Sequence, residues 1–132
     1  MWKAQLVKFF RVLSLWLFWP GVALIIWGEL TPHPPDLSWI LGWDKAQHFT
    51  AYFGLASMTT LILGLRPRLV AGVLGVIFLG GLLEILQAYT GRDPDILDFA
   101  ANCIGALAGF SAGAAFLLLL RDRALVAPAA SD

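Results

Sequence analysis

The sequence predicts an all-α integral membrane protein, a four-helix bundle with both termini in the cytoplasm. Of its 132 residues, 59% are hydrophobic, and the mean hydropathy of +0.77 is too high for a small soluble domain. Apolar runs of about 20 residues match a hydrocarbon core of roughly 30 Å. We therefore expect residues 1–132 to form a single transmembrane domain.

Four spans are predicted, over residues 8–29, 44–63, 67–89 and 95–120. The first has a basic start and an apolar run, as a signal peptide has, but its run is longer than the usual stretch of about 7–15 residues and lacks an A-x-A cleavage site. It is therefore interpreted as an uncleaved anchor. Pro20 and Gly21 interrupt its middle and predict a kink there.

The ends of the second and third spans carry local signals. Asp44 is predicted to cap the second helix, with Gln47 three residues on, and Gly64 to end it. Pro67 suits the first helical position of the third span. Gly91 is the predicted C-cap of that helix.

The fourth span is predicted to start at Pro94, behind Asp93 as its capping residue. Gly105, Gly109 and Gly113 form a stripe along one face. Because small residues permit close backbone approach, this face is expected to press against another helix.

The charges are divided between the two sides of the predicted membrane domain. Nine basic residues balance nine acidic ones, so the net charge gives no reason to expect a nucleic-acid partner. Seven basic residues fall on one side, which the positive-inside rule assigns to the cytoplasm: Lys3, Lys8, Arg11, Arg66, Arg68, Arg121 and Arg123. Seven acids fall on the other side: Glu29, Asp36, Asp44, Glu84, Asp93, Asp95 and Asp98.

Polar residues of the last three spans are predicted to converge at the outer side. Counting about 1.5 Å per residue places Glu84 roughly 9 Å inside its helix end, and His48 and Asp98 roughly 6 Å inside theirs. Ionisable groups at membrane depth are costly to desolvate, so their convergence indicates function. The predicted set comprises Asp44, Lys45, His48, Glu84, Gln87, Arg92, Asp95, Asp98 and Asn102.

Two groups of roles follow from these residue types. Asp44, His48, Glu84 and Asp98 are candidate acid/base groups or ligands of a hard divalent cation. The alternative for Asp44 is a helix cap, and the alternative for His48 is a bond to a neighbouring helix.

The remaining residues of the set are candidates for ligand binding. Arg92 can pair with Asp95 or Asp98, or hold a phosphate or carboxylate together with Lys45. Gln87, Asp95 and Asn102 are the other candidates in this group: Gln87 shares the face of Glu84, and Asn102 lies one turn after Asp98. Cys103 is the one cysteine, so no internal disulfide forms.

The ordered motifs from Asp44 to about Gly113 resemble the VanZ-like family of small bacterial membrane proteins. They are Asp44-Lys45-Ala-Gln-His48-Phe49-Thr-Ala-Tyr52-Phe53-Gly54, then Glu84-Ile-Leu-Gln87, then Gly91-Arg92 with Asp95, Asp98, Asn102 and Gly105. Thr90 stands where the family often has proline. The resemblance implies a multi-pass protein of the bacterial inner membrane, and the founding member is associated with teicoplanin resistance. It implies no established reaction.

Four functions compete for the predicted cluster. The first is outward-facing binding of an anionic, phosphorylated lipid or lipid-linked envelope precursor. The second adds hydrolytic or phosphoryl-transfer chemistry, with or without a divalent cation. The third is a proton relay, which would require oligomerisation of a single four-helix chain. The fourth is an internal ion-pair network in a protein that modulates an envelope-assembly partner.

Overall fold

The computed structural model describes residues 2–33 and 43–120, which form four helices and no strand. The helices are α1 (Trp2–Leu30), α2 (Asp44–Leu63), α3 (Arg68–Gln87) and α4 (Ile96–Leu119). For the described residues, the all-helical class and the prediction of four helices are therefore confirmed. Three of the charges used to predict the orientation, those of Asp36, Arg121 and Arg123, lie outside the described residues.

Three of the helices, α1, α3 and α4, are long and apolar enough to cross a membrane. α1 begins six residues before the predicted start of the first span and continues through Pro20. Large apolar side chains on the bundle surface are exposed, including Trp16, Trp19, Phe78 and Ile104. An apolar outer surface is what a helical bundle presents to lipid.

α2 is the most polar helix and the central one, because it packs more extensively against the other three than any other helix does. Its buried side chains include His48, Tyr52, Thr59 and Thr60. The threonine hydroxyls donate to the carbonyls one turn earlier in the same helix. The polar composition of α2 is thus accommodated by neighbouring helices and by its own backbone.

α2 and α4 pack most closely, as the glycine stripe predicts. A Cβ atom at Gly105 would collide with the backbone carbonyl of Phe49, and one at Gly109 with the carbonyl of Phe53. At Gly113 a Cβ atom would press on a side chain of α2. The predicted contact between this stripe and another helix is confirmed.

The predicted C-terminal end of α2 is confirmed, and the predicted N-cap is wrong. Gly64 ends the helix with φ of 66°, and its amide donates to the Thr60 carbonyl at 2.9 Å. The cap assigned to Asp44 is wrong, because Trp43 occupies the N-cap position and Asp44 is already the first helical residue.

The helix ends beside the turns that flank α3 and α4 also differ from the predicted ones. Pro67 is the N-cap of α3, one position before the predicted one. α3 ends at Gln87 with Ala88 as its C-cap, so the C-cap predicted at Gly91 is wrong. Gly91 instead has φ of 81° in the turn that follows. α4 is capped by Asp95, whose carboxylate accepts a hydrogen bond from the Leu97 amide at 2.8 Å, so the cap predicted at Asp93 is wrong.

The described ends of the chain lie together at one end of the bundle. The rings of Phe10 in α1 and Phe116 in α4 meet edge to face, with centroids 5.4 Å apart. The end of α1, the start of α2, the end of α3 and the start of α4 consequently meet at the opposite end. The apolar core lies between, around Tyr52, Leu55, Ala56, Val76 and Ala106.

We predict that Gly109→Ala lowers the free energy of unfolding by about 1–3 kcal/mol, because the added methyl group collides with backbone that cannot rotate away. Gly75→Ala is the matched control, since a Cβ atom at Gly75 meets nothing within 4 Å. Thermal unfolding in detergent measures both variants. Equal stability of the two variants would contradict the close packing of α2 on α4.

Candidate functional site

Buried polar side chains from all four helices meet at the end of the bundle opposite the chain ends. Every buried ionisable residue of the described chain belongs to this group. We call the following residues the polar cluster: Glu29, Lys45, His48, Tyr52, Glu84, Gln87, Asp95, Asp98 and Asn102. The structure thus brings together predicted residues of α2, α3 and α4. It also adds α1, which contributes Glu29 and was not predicted to take part in the site.

His48 lies at the centre of the polar cluster. Its Nδ1 atom is 3.2 Å from Asn102 Oδ1, 3.8 Å from Glu29 Oε1 and 4.0 Å from Glu84 Oε1. Its Nε2 atom is 3.6 Å from Asp98 Oδ2. One imidazole is therefore surrounded by carboxylates from three other helices.

Lys45 is the cation of the cluster. Its Nζ atom donates to Asp95 Oδ2 at 2.7 Å and to Asp98 Oδ1 at 2.5 Å. The hydrogen bond from Lys45, followed by that from the Leu97 amide, lowers the pKa of Asp95 below its ordinary value. Lys45 thereby joins the start of α2 to the start of α4.

Arg92 has a different partner from the predicted one. Its Nη1 atom donates to the backbone carbonyls of Gly28 at 3.3 Å and Glu29 at 3.0 Å. The predicted pairing of Arg92 with Asp95 or Asp98 is wrong, because both carboxylates form ion pairs with Lys45 instead. A cation at the carbonyl end of a helix is favourable, so Arg92 docks the end of α1 onto the cluster.

Two further predicted residues differ in burial. Asp44 is exposed, although one of its carboxylate oxygens is within 4.8 Å of ligand atoms of His48 and Asp98. Gln87 is buried at the end of α3, on the same face as Glu84. Glu84 Oε2 accepts a hydrogen bond from the Asp95 amide at 3.2 Å.

Several buried atoms of the cluster have no hydrogen-bond partner among residues 2–33 and 43–120. They are Glu29 Oε2, Tyr52 OH, Glu84 Oε1, Gln87 Nε2 and Asn102 Nδ2. An unsatisfied buried polar atom costs about 1–3 kcal/mol, more where the group is charged. Because these atoms are concentrated in one place, the cluster has the hydrogen-bonding capacity for an additional group.

Glu29 and Tyr52 were not assigned to the site from the sequence. Glu29 stands in the last turn of α1, at the same end as the other acids, so the depth count applied to the other spans could have included it. Tyr52 follows His48 by four residues and therefore shares its face of α2. The helical spacing was the available signal for Tyr52.

A groove of about 950 Å³ runs between α3 and α4 beside the cluster. Its walls are mainly apolar and include Leu74, Phe78, Leu82, Ile85, Tyr89 and Phe99. Glu84 and Asp95 line the groove at the end where the cluster lies. An apolar groove on the surface of the bundle therefore leads to the buried carboxylate of Glu84 and the partly exposed carboxylate of Asp95.

No protein-family model matches the chain, and no curated protein or solved structure matches it. The resemblance to VanZ-like proteins accordingly stays a prediction.

We predict that Lys45→Met lowers the midpoint of thermal unfolding, because it leaves the buried carboxylate of Asp98 without its cation. Adding Asp98→Asn to Lys45→Met should restore part of the loss, as a double-mutant cycle measures. Lys8→Met is the control, since Lys8 is exposed at the other end of the bundle. Equal effects of Lys45→Met and Lys8→Met would contradict the structural role of Lys45.

Acid should weaken the junction between α2 and α4. The folded-state pKa of Asp95 lies below its ordinary value of 3.8, so its stabilising contribution is complete above that value and is lost as pH falls through the folded pKa. Asp95→Asn should flatten this part of the stability profile. Unfolding measured from pH 6 down to about pH 2 tests it, and an unchanged acid slope in Asp95→Asn would contradict it.

Proposed function

We propose that this protein binds an anionic, lipid-linked precursor of the bacterial cell envelope. The apolar chain of the ligand lies in the groove between α3 and α4, and its phosphorylated head group lies at the polar cluster. The observation that carries the proposal is the apolar groove that ends at the polar cluster, where Lys45 and the unpartnered amide groups of Gln87 and Asn102 offer positive charge and hydrogen-bond donors to a phosphate. A membrane lipid has the same arrangement of a polar end on an apolar chain.

The charge distribution supports a site on the outer side of the bacterial inner membrane. Lys3, Lys8, Arg11, Arg66 and Arg68 lie toward the end of the bundle opposite the cluster. By the positive-inside rule that end faces the cytoplasm, so both termini are cytoplasmic and the cluster faces outward. In this arrangement α2 is the fourth span, sheltered from lipid by its three neighbours.

The head group finds hydrogen-bond donors in the cluster. Gln87 Nε2 and Asn102 Nδ2 are buried and lack partners among the described residues, whereas the Tyr52 hydroxyl lies near the Glu29 carboxylate. Lys45 and Arg92 add positive charge nearby, although each already has internal partners. The resemblance to VanZ-like proteins, whose founding member is associated with teicoplanin resistance, extends the proposal to teicoplanin-type resistance.

The chemistry of the site also fits an enzyme acting on that lipid. His48 between carboxylates can transfer protons, and Asp44, Glu84 and Asp98 lie within reach of it. A proton relay across the membrane has less support, since the described chain has no buried ionisable residue outside the cluster. Hydrolysis of a lipid phosphate is thus the catalytic form of the proposal.

A second candidate function is structural. Lys45 holds Asp95 and Asp98, and Arg92 holds two carbonyls of α1, so part of the cluster satisfies itself. Such a network fixes the register of the helices and leaves the apolar surface to an envelope-assembly partner or a second copy of the chain.

Blocking the groove separates the two functions. We predict that wild-type protein extracted in mild detergent retains a phosphorylated lipid in native mass spectra, and that Ala88→Trp loses most of it because indole fills the groove beside the cluster. Val70→Trp is the matched control, since Val70 is exposed on the same helix but does not line the groove.

Bare wild-type protein, or equal retention of lipid by all three proteins, would contradict the lipid proposal. A wild-type protein without lipid that remains folded would favour the structural alternative.

A further inference from the structure

The negative charge of the polar cluster is only partly compensated by its own cations. Lys45 pairs with Asp95 and Asp98. Glu29 and Glu84 have no lysine or arginine nitrogen within 4.0 Å in the described part of the chain, and His48 is the nearest basic group to both. Two buried carboxylates therefore face one imidazole.

The three side chains are arranged as metal ligands are. One ligand atom from each of Glu29, His48 and Glu84 lies within 4.8 Å of the other two. His48 Nδ1 is 3.8 Å from Glu29 Oε1 and 4.0 Å from Glu84 Oε1. A cation with bonds of about 2.1 Å holds its ligand atoms roughly 3–4 Å apart, so small side-chain rotations close the site.

Unpartnered atoms at this position point independently to a ligand. Glu29 and Glu84 are only 7% and 6% exposed. Their Oε2 and Oε1 atoms, respectively, are buried without a hydrogen-bond partner among the described residues. Glu84 Oε1 is also the oxygen of that carboxylate that lies 4.0 Å from His48 Nδ1. The unsatisfied oxygen of Glu84 is thus directed toward the gap between the three side chains.

We propose that Glu29, His48 and Glu84 bind a divalent metal ion. One imidazole with two carboxylates suits a first-row cation such as Mn²⁺ or Zn²⁺, because imidazole favours zinc and carboxylates favour manganese. The charge of the ion offsets both carboxylates and removes the cost of burying them unpaired.

A second group of side chains shares His48 but is less suited to a metal. Asp44, His48 and Asp98 also bring one ligand atom each within 4.8 Å. Asp44 is exposed, however, and Asp98 is already held by Lys45 at 2.5 Å. Asp98 instead lies 3.6 Å from His48 Nε2, where a carboxylate orients a metal-bound imidazole from its far side.

Coordination at Nδ1 has two structural consequences. The contact between Nδ1 and Asn102 Oδ1, now 3.2 Å, is replaced by the metal bond. Three protein ligands also leave a coordination position for water or a phosphate oxygen, as catalytic metal sites do. The metal site does not require that the lipid proposal be correct, because its formation depends on these side chains alone.

Metal analysis of the purified full chain tests the site. After chelator treatment and dialysis against Mn²⁺ or Zn²⁺, wild-type protein should retain about one ion per chain. Glu29→Gln and Glu84→Gln keep the side-chain shape and should weaken binding by more than about tenfold in calorimetric titration. Asp93→Asn is the matched control, because Asp93 is exposed and belongs to neither group of ligands.

Several outcomes overturn the proposal. Wild-type protein that binds neither ion excludes the site, as do Glu29→Gln and Glu84→Gln variants that bind as tightly as wild type. Equal weakening by Asp93→Asn indicates non-specific binding. Loss of binding in Asp98→Asn with full binding in Glu29→Gln assigns the ion to the other group. Circular dichroism confirms folding of each variant, and lipid retention, measured separately, distinguishes failure of this proposal from failure of the lipid proposal.

Discussion

The burial of carboxylates at one end of the bundle is the constraint on which the rest of the structure depends. Glu29, Glu84 and Asp98 come from three different helices and are almost fully buried. Ionised groups at that depth are stable only with a compensating charge or hydrogen-bond donor. Lys45 supplies such a charge for Asp98, and Arg92 joins the backbone of α1 to the same region.

The glycine face of α4 makes this arrangement sterically feasible. Close contact of Gly105 and Gly109 with the backbone of α2 brings the starts of both helices together. His48 on α2 then meets Asn102 and Asp98 on α4. The glycine stripe of α4 therefore has two effects. It allows the close packing of α2 on α4, and it brings the side chains of the polar cluster together.

The number of helices and the end at which polar residues gather could be predicted, because apolar length and depth along a helix are properties of the sequence. The hydrogen-bond partners of the polar residues could not be predicted from the sequence. Arg92 and Lys45 both lie near Asp95, and only the relative rotation of the helices decides that Lys45 binds it. The depth of Glu29 could have placed it at the same end of the bundle, but the sequence does not mark which face of α1 packs against the other helices.

Glu29, His48 and Glu84 form the proposed ligand centre where the helices meet. Electron spin echo envelope modulation of Mn²⁺-loaded protein can test this centre, because the method detects nitrogen nuclei bonded to the ion. We expect modulation from a single imidazole nitrogen that disappears in His48→Gln. Modulation that persists in that variant, or its absence in manganese-loaded wild type, would rule out coordination by His48.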